Sequence, residues 1–310
     1  GEKLAQVGSE VGVASRYTNA EEMILRENLD IVSVAVPNVH HKPLCIFALD
    51  HGCHVLCEKP MAMNAAEAEE MIAASKAADR RLMINFSFRF NPQSAALKKE
   101  VESGVLGDIY FARSEWHRRR GIPKFGGWFG QKNLSGGGPL IDLGVHRLDL
   151  ALWLMDYPEP DWVMASTYDR IGSALAREKG LEFDVEDFAV GLVKFKNGAT
   201  LELEASWAAN IREKDLMSTR LLGSEGGLVQ RNVDEGYAFE AEMYVERNGS
   251  LFDIKLNPSS PSVPSAMCHL ADSILTDSPH IATGEEGHTV MRLLDAIYES
   301  SERGAPVHLG

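Results

Sequence analysis

The sequence predicts an α/β fold: a doubly wound parallel sheet, incomplete at its start, and then an α+β domain with a large open, mainly antiparallel sheet. Three observations carry this reading. Short apolar runs alternate with helix-like stretches over the first 86 residues. Later strand-like stretches follow one another directly, and Lys196-Asn197-Gly198 is a hairpin signal between two of them. The length of 310 residues also exceeds what one core usually holds, roughly 250–300. The expected boundary divides the chain into a dinucleotide-binding domain (1–86) and a substrate-binding and oligomerisation domain (87–310).

The elements follow in order. Asn19 is an N-cap candidate with Glu21 and Glu22 in the next turn. Residues 30–37 form a near-continuous apolar, β-branched run ended by Pro37, which suits a strand buried on both faces. A helix over 43–50 stops at Gly52, and 54–57 is the next strand. Asn64 caps an Ala/Glu/Met-rich helix through Asp79, and a third strand starts at Leu82. After a helix over 92–103, strands are expected at 108–117, 187–195, 199–208 and 219–229, interrupted by a long helix over 138–155. Residues 265–278 and 284–303 are helical, and 257–264 are an exposed loop. The first residues resemble the tail of a helix, so a strand, a glycine-rich phosphate turn and a second strand are expected to be missing before Gly1.

A net charge of −14 argues against nucleic acid, and no apolar run approaches the ~20 residues of a membrane span. Four cysteines are too few and too unevenly spaced for a disulfide framework. His51, Cys53, His54 and Cys57 have metal-like spacing, yet they occupy both faces of one short strand, so no metal site is expected.

Three groups carry candidate chemistry. Glu58-Lys59-Pro60 sits at the carboxyl end of a parallel strand, the edge where open α/β sheets bind ligands. A lysine there places a fixed charge beside a developing alkoxide, or is merely a surface residue. Downstream of Gly136-Gly137-Gly138, Asp142 and His146 lie four apart, so on a helix they share a face. A carboxylate beside the imidazole would raise its basicity for accepting a hydroxyl proton; the plainer reading is a helix-stabilising pair. Pro37, Asn38 and His41 form a turn that lines a nucleotide cleft or caps the following helix. Of the basic run 117–120, Arg119 is a candidate for an anionic group, and Trp128 for stacking on a sugar face.

In their order and spacing, Pro37-Asn38-x-x-His41, Glu58-Lys59-Pro60 and Gly136-Gly-Gly-x-x-x-Asp142-x-Gly-x-His146 resemble the glucose–fructose oxidoreductase / inositol dehydrogenase / rhizopine catabolism (Gfo/Idh/MocA) family. Asn85-Phe-Ser-Phe-Arg89, Val185-Glu-Asp-Phe and Gly284-Glu-Glu-Gly are similar too. The resemblance implies a Rossmann-type domain, NAD or NADP as cofactor, and oxidation of a secondary alcohol on a sugar or cyclitol. It implies Lys59, Asp142 and His146 as catalytic residues. Pro37, Asn38, His41, Glu58, Lys59 and Arg89 would border the cofactor, and Asp142 would orient the substrate; Arg119 and Trp128 stay substrate candidates on their own residue chemistry. A cytoplasmic homodimer or homotetramer is expected. The alternatives are a non-catalytic sugar or dinucleotide sensor, and an enzyme that uses a transient 3-keto sugar for elimination, hydrolysis or epimerisation.

Overall fold

The computed structural model describes residues 1–257 and 263–310. Two helices, α1 (Glu2–Glu10) and α2 (Ala20–Arg26), precede β1 (Ile31–Val34). Then come α3 (His41–Asp50), β2 (His54–Cys57), α4 (Ala65–Ala78) and β3 (Leu82–Ile84). The three strands pair in parallel in the order β1-β2-β3. The caps are those the sequence signalled: Asn19 accepts from Glu22 N–H, and Asn64 from Glu67 N–H.

The rest of the chain builds one nine-stranded sheet. Its elements are α5 (Pro92–Glu102), β4 (Ile109–Arg118), α6 (Lys132–Ser135), α7 (Val145–Leu154), β5 (Pro160–Tyr168), α8 (Gly172–Lys179), β6 (Phe188–Phe195), β7 (Thr200–Ser206), β8 (Asp215–Gly223), β9 (Gly226–Val233), β10 (Ala238–Arg247), β11 (Ser250–Lys255), α9 (Ala266–Leu275), α10 (Gly284–Arg303) and β12 (Val307–His308). The strand order is β11-β10-β9-β8-β4-β7-β6-β5-β12. All neighbours are antiparallel except β4 and β7, which are parallel. That pairing is non-local, and hairpin signals do not report it.

Several sequence expectations are corrected. The strand expected over 219–229 is two strands, β8 and β9, turning at Ser224-Glu225. β5, β10, β11 and β12 add strands that the sequence reading did not place. The expected loop at 257–264 falls mainly on residues 258–262, outside the described residues. The helix expected over 138–155 is a π-helical turn (Leu140–Gly144) followed by α7. Leu140, Leu143, Leu148, Leu152 and Leu154 are all buried, so an apolar stripe holds this segment down.

The triple glycine is close-packed rather than flexible. A Cβ on Gly138 would sit 2.0 Å from the Glu186 carbonyl oxygen, and one on Gly137 2.0 Å from the Tyr298 hydroxyl. Glu186 explains the approach: its carboxylate accepts from Gly138 N–H (2.9 Å), Leu140 N–H (3.0 Å) and the Tyr298 hydroxyl (3.0 Å). A buried carboxylate thus satisfies the open N–H groups at the start of the π-turn.

Arg89, expected at the cofactor, is instead a core residue. Its guanidinium donates to Asp149 on α7 (2.6–3.2 Å), to Glu286 on α10 (2.8 Å) and to the Tyr157 hydroxyl. Arg89 and Asp149 are each 1% exposed. The pair fastens the turn after β3 to two helices of the larger sheet. Arg89→Met should therefore destabilise the protein by roughly 3–5 kcal/mol, since Asp149 is left buried and unpaired. Glu286→Gln, at a partly exposed partner, should cost less than about 1 kcal/mol. Urea unfolding monitored by circular dichroism checks both; equal losses would contradict this assignment.

Candidate active site

Parallel pairing puts Val34 beside Cys57, so the segments leaving β1 and β2 emerge side by side. They enclose a cavity of about 210 Å³ lined by Val36, Asn38, Glu58, Lys59, Trp128, Phe129 and Asp142 among others. The Lys59–Pro60 peptide is cis. His41, fully buried, links the two segments: its Nδ1 lies 2.8 Å from the Pro60 carbonyl and its Nε2 2.9 Å from that of Val36. Burial pushes this ring below its ordinary range although both carbonyls oppose the shift. Asn38 donates to the Ser135 carbonyl (2.7 Å), and Glu58 accepts from the Asn85 amide (2.6 Å). Pro37 leads into the short 3-10 turn Asn38–His40. Trp128 stacks on Phe129 at 3.9 Å and forms a wall of the cavity.

The central contact joins the two sheets. Lys59 Nζ donates to the Asp142 carboxylate Oδ1 (2.8 Å) and to the Asp142 carbonyl (2.9 Å). The other carboxylate oxygen, Oδ2, accepts from Trp207 Nε1 (2.9 Å), at the end of β7. Burial alone would raise the Asp142 carboxyl, but the Lys59 ammonium and the Trp207 N–H outweigh it and hold the acid below the usual range. Two of the three Lys59 N–H groups are thereby used, leaving one for a ligand.

His146 sits on the first turn of α7, partly exposed, packed edge-on against Phe88 (5.2 Å) and beside Trp116 (5.7 Å). The expected partnership with Asp142 is corrected here: the carboxylate turns to Lys59 and Trp207, and His146 Nδ1 is buried without a hydrogen-bond partner among the described residues. The π-winding between the two residues removes the α-helical geometry on which an i,i+4 pair depends. The basicity argument reverses with it. Burial first, then the charges of Lys59, Arg147 and Arg118, push the imidazole well below its ordinary range. Arg147 is completely buried and, among the described residues, has no carboxylate bonded to it; its guanidinium lies 4.1 Å from the Phe88 ring centre.

Beside His146 lies a polar group that sequence reasoning missed. Trp116 Nε1 donates to Asp215 (2.7 Å), Arg118 pairs with the same carboxylate (3.4 Å), and Arg118 donates to the Tyr237 hydroxyl (3.1 Å). Arg119, the residue expected here, follows the last residue of β4 and is exposed, outside the cavity lining. Trp116 and Trp207 had one available signal: a buried tryptophan needs an acceptor for its N–H.

The cavity suits the nicotinamide end of a dinucleotide. It is concave, has apolar walls in Val36, Pro60 and Phe129, and holds a few fixed polar groups in Asn38, Glu58 and Lys59. A strand-end cleft of this kind above a parallel sheet, closed by a second sheet that brings an acid to the lining and carries a histidine one turn further along the same segment, is the frame of a nicotinamide-dependent oxidoreductase.

Comparison with known proteins agrees. Residues 1–86 match the model described as an oxidoreductase family with an NAD-binding Rossmann fold, and residues 94–229 match that of the GFO/IDH/MocA C-terminal domain. The chain belongs to the GFO/IDH/MocA family and is an NAD(P)-dependent dehydrogenase. It is 34% identical to the D-glucoside 3-dehydrogenase of Escherichia coli (strain K12) over 96% of this chain and 84% of that protein. The crystal structure of aldose–aldose oxidoreductase from Caulobacter crescentus complexed with glycerol superposes with a TM-score of 0.83 at 30% identity, covering 99% of this chain and 89% of that one. Levoglucosan dehydrogenase in complex with NADH and levoglucosan has the same fold, with a TM-score of 0.87 at 23% identity, covering 100% of this chain and 87% of that one.

The electrostatics of His146 are directly measurable. In an NMR titration its ring resonances should have their midpoint well below the ordinary ~6.5. In Lys59→Met the midpoint should move upward, because one repelling charge is gone. A midpoint at or above 6.5 in the wild-type protein would contradict the buried, cation-flanked environment.

Proposed function

We propose that the protein oxidises a secondary hydroxyl of a sugar or sugar derivative, with residues 1–86 holding the cofactor and 87–310 the substrate. The observation that carries this reading is the Lys59–Asp142 pair in the lining of the cavity, with His146 following on the same segment. The reacting hydroxyl sits between the free Lys59 N–H and the accessible nitrogen of His146. His146 takes the hydroxyl proton; its depressed proton affinity keeps the ring neutral, so the acceptor form is present throughout the neutral range. The Lys59 ammonium offsets the negative charge that grows on oxygen as the proton leaves. Asp142, fixed by Trp207, holds Lys59 in place. The bound nicotinamide, when present, accepts the hydride from the carbinol carbon.

The likeness to D-glucoside 3-dehydrogenase supports a pyranoside as substrate. Trp128, half-exposed at the cavity wall, is placed to lie against a sugar ring. The 30% identity to an aldose–aldose oxidoreductase favours a second reading, in which the bound cofactor is recycled by a second sugar with no net redox change. A panel of glucosides with stoichiometric NAD, followed by absorbance of the reduced cofactor, separates the two. Net dehydrogenation reduces NAD in proportion to product, whereas recycling forms product with only catalytic cofactor. In either case His146→Ala should lower turnover about 10²–10⁴-fold with the fold intact. Unchanged turnover on the best substrate would remove the assigned role.

We also propose that the uncovered face of the nine-stranded sheet pairs with a second copy in the cytoplasm. Met164, Tyr168 and Leu192 stand exposed on neighbouring strands β5 and β6, and an apolar patch of this kind is usually covered. Light scattering at micromolar concentration should give a dimer or a tetramer; Leu192→Asp should shift it toward monomer. A monomeric wild-type mass would refute the pairing.

A further inference from the structure

On that same sheet face lies a cluster whose chemistry the proposed reaction does not use. Glu115 and His117 are two residues apart on β4, so both side chains leave the sheet on one side. Glu204 on β7 is the register partner of Glu115. One ligand atom from each of the three lies within 4.8 Å of the others. His117 is 7% exposed, and its Nε2 is buried without a hydrogen-bond partner among the described residues. Glu204 Oε2 lies 3.3 Å from that nitrogen, within reach of a charge contact. A buried ring nitrogen without a hydrogen bond carries a desolvation cost.

The charge pattern points the same way. Glu115, Glu202 and Glu204 surround one cation, Arg113, which reaches Glu204 at 2.6 Å, Glu115 at 3.3 Å and Glu202 at 3.5 Å. Three carboxylates around one guanidinium leave two negative charges in excess, held close together on a half-buried surface. Arg113 takes Oε1 of Glu204, which leaves Oε2 on the side of His117.

We propose that Glu115, His117 and Glu204 bind a divalent cation of the zinc type, with His117 Nε2 and one oxygen from each glutamate as ligands. One imidazole and two carboxylates make a borderline donor set that suits Zn²⁺, which takes four ligands at ~2.0–2.2 Å. Mg²⁺ and Ca²⁺ favour all-oxygen shells, whereas an imidazole among the ligands suits the borderline Zn²⁺. The two positive charges of the ion match the excess of the cluster. The ion would pin β4 to β7, the one parallel pair in the sheet. None of the three residues lines the cavity, so this site stands or falls independently of the dehydrogenase reading.

The full chain, stripped of metal and titrated with ZnCl₂ by calorimetry, with stoichiometry read by native mass spectrometry, tests this. The wild-type protein should bind one Zn²⁺ per chain, and His117→Ala and Glu204→Gln should each weaken binding by about tenfold or more. If His117→Ala does not fold by circular dichroism, Glu115→Gln reads the same contact with less disturbance to packing. Absence of binding up to ~1 mM Zn²⁺, or stoichiometric binding undiminished in the variants, would overturn the site and leave the cluster as an ion-pair network around Arg113.

Discussion

The ion pair between Lys59 and Asp142 is the constraint around which this molecule is arranged. Both charges are largely withdrawn from water, which is tolerable only when each finds its counter-charge and the remaining lone pairs are met. Lys59 comes from the parallel sheet and Asp142 from the turn that rides on the antiparallel one. The pair is therefore a covalently unlinked bridge between the two halves of the chain. Trp207 completes it from the end of β7, so three distant segments must be in register before the contact is whole.

What holds Asp142 in place is a second buried carboxylate. Glu186 gathers the N–H groups of Gly138 and Leu140 and the Tyr298 hydroxyl, and draws the backbone so close that side chains are excluded at residues 137 and 138. Burial raises this acid above its ordinary range while the two backbone N–H groups oppose the rise. The π-turn that results aims Asp142 across the cleft toward Lys59, and α7 continues with His146 beside the aromatic rings of Phe88 and Trp116. The site is thus rigid at its supports and open at its centre, as preorganised electrostatic stabilisation requires.

Much of this was legible in the sequence. The strand ends, the caps at Asn19 and Asn64 and the apolar anchors of α7 follow from local periodicity and turn chemistry. Lys59, Asp142 and His146 were legible as candidates because their motifs sit where α/β sheets bind ligands. Less legible were residues whose meaning depends on a partner far along the chain. Arg89 reads as a cleft residue until Asp149 and Glu286 are placed beside it. Arg118 and Arg119 are indistinguishable until the pairing with Asp215 singles out Arg118. Glu115, His117 and Glu204 form no motif, because their proximity exists only across the β4–β7 pairing.

By itself, the sequence determined the class of fold, the family and the identity of the candidate reacting groups, since those are written in short-range patterns: apolar period, capping residues and tightly spaced motifs. Only the tertiary structure decided which carboxylate meets which cation, and it reversed the inferred basicity of His146. The physical reason is that proton affinity and ion pairing depend on burial and on charges within a few ångströms in space, and spacing along the chain does not measure either.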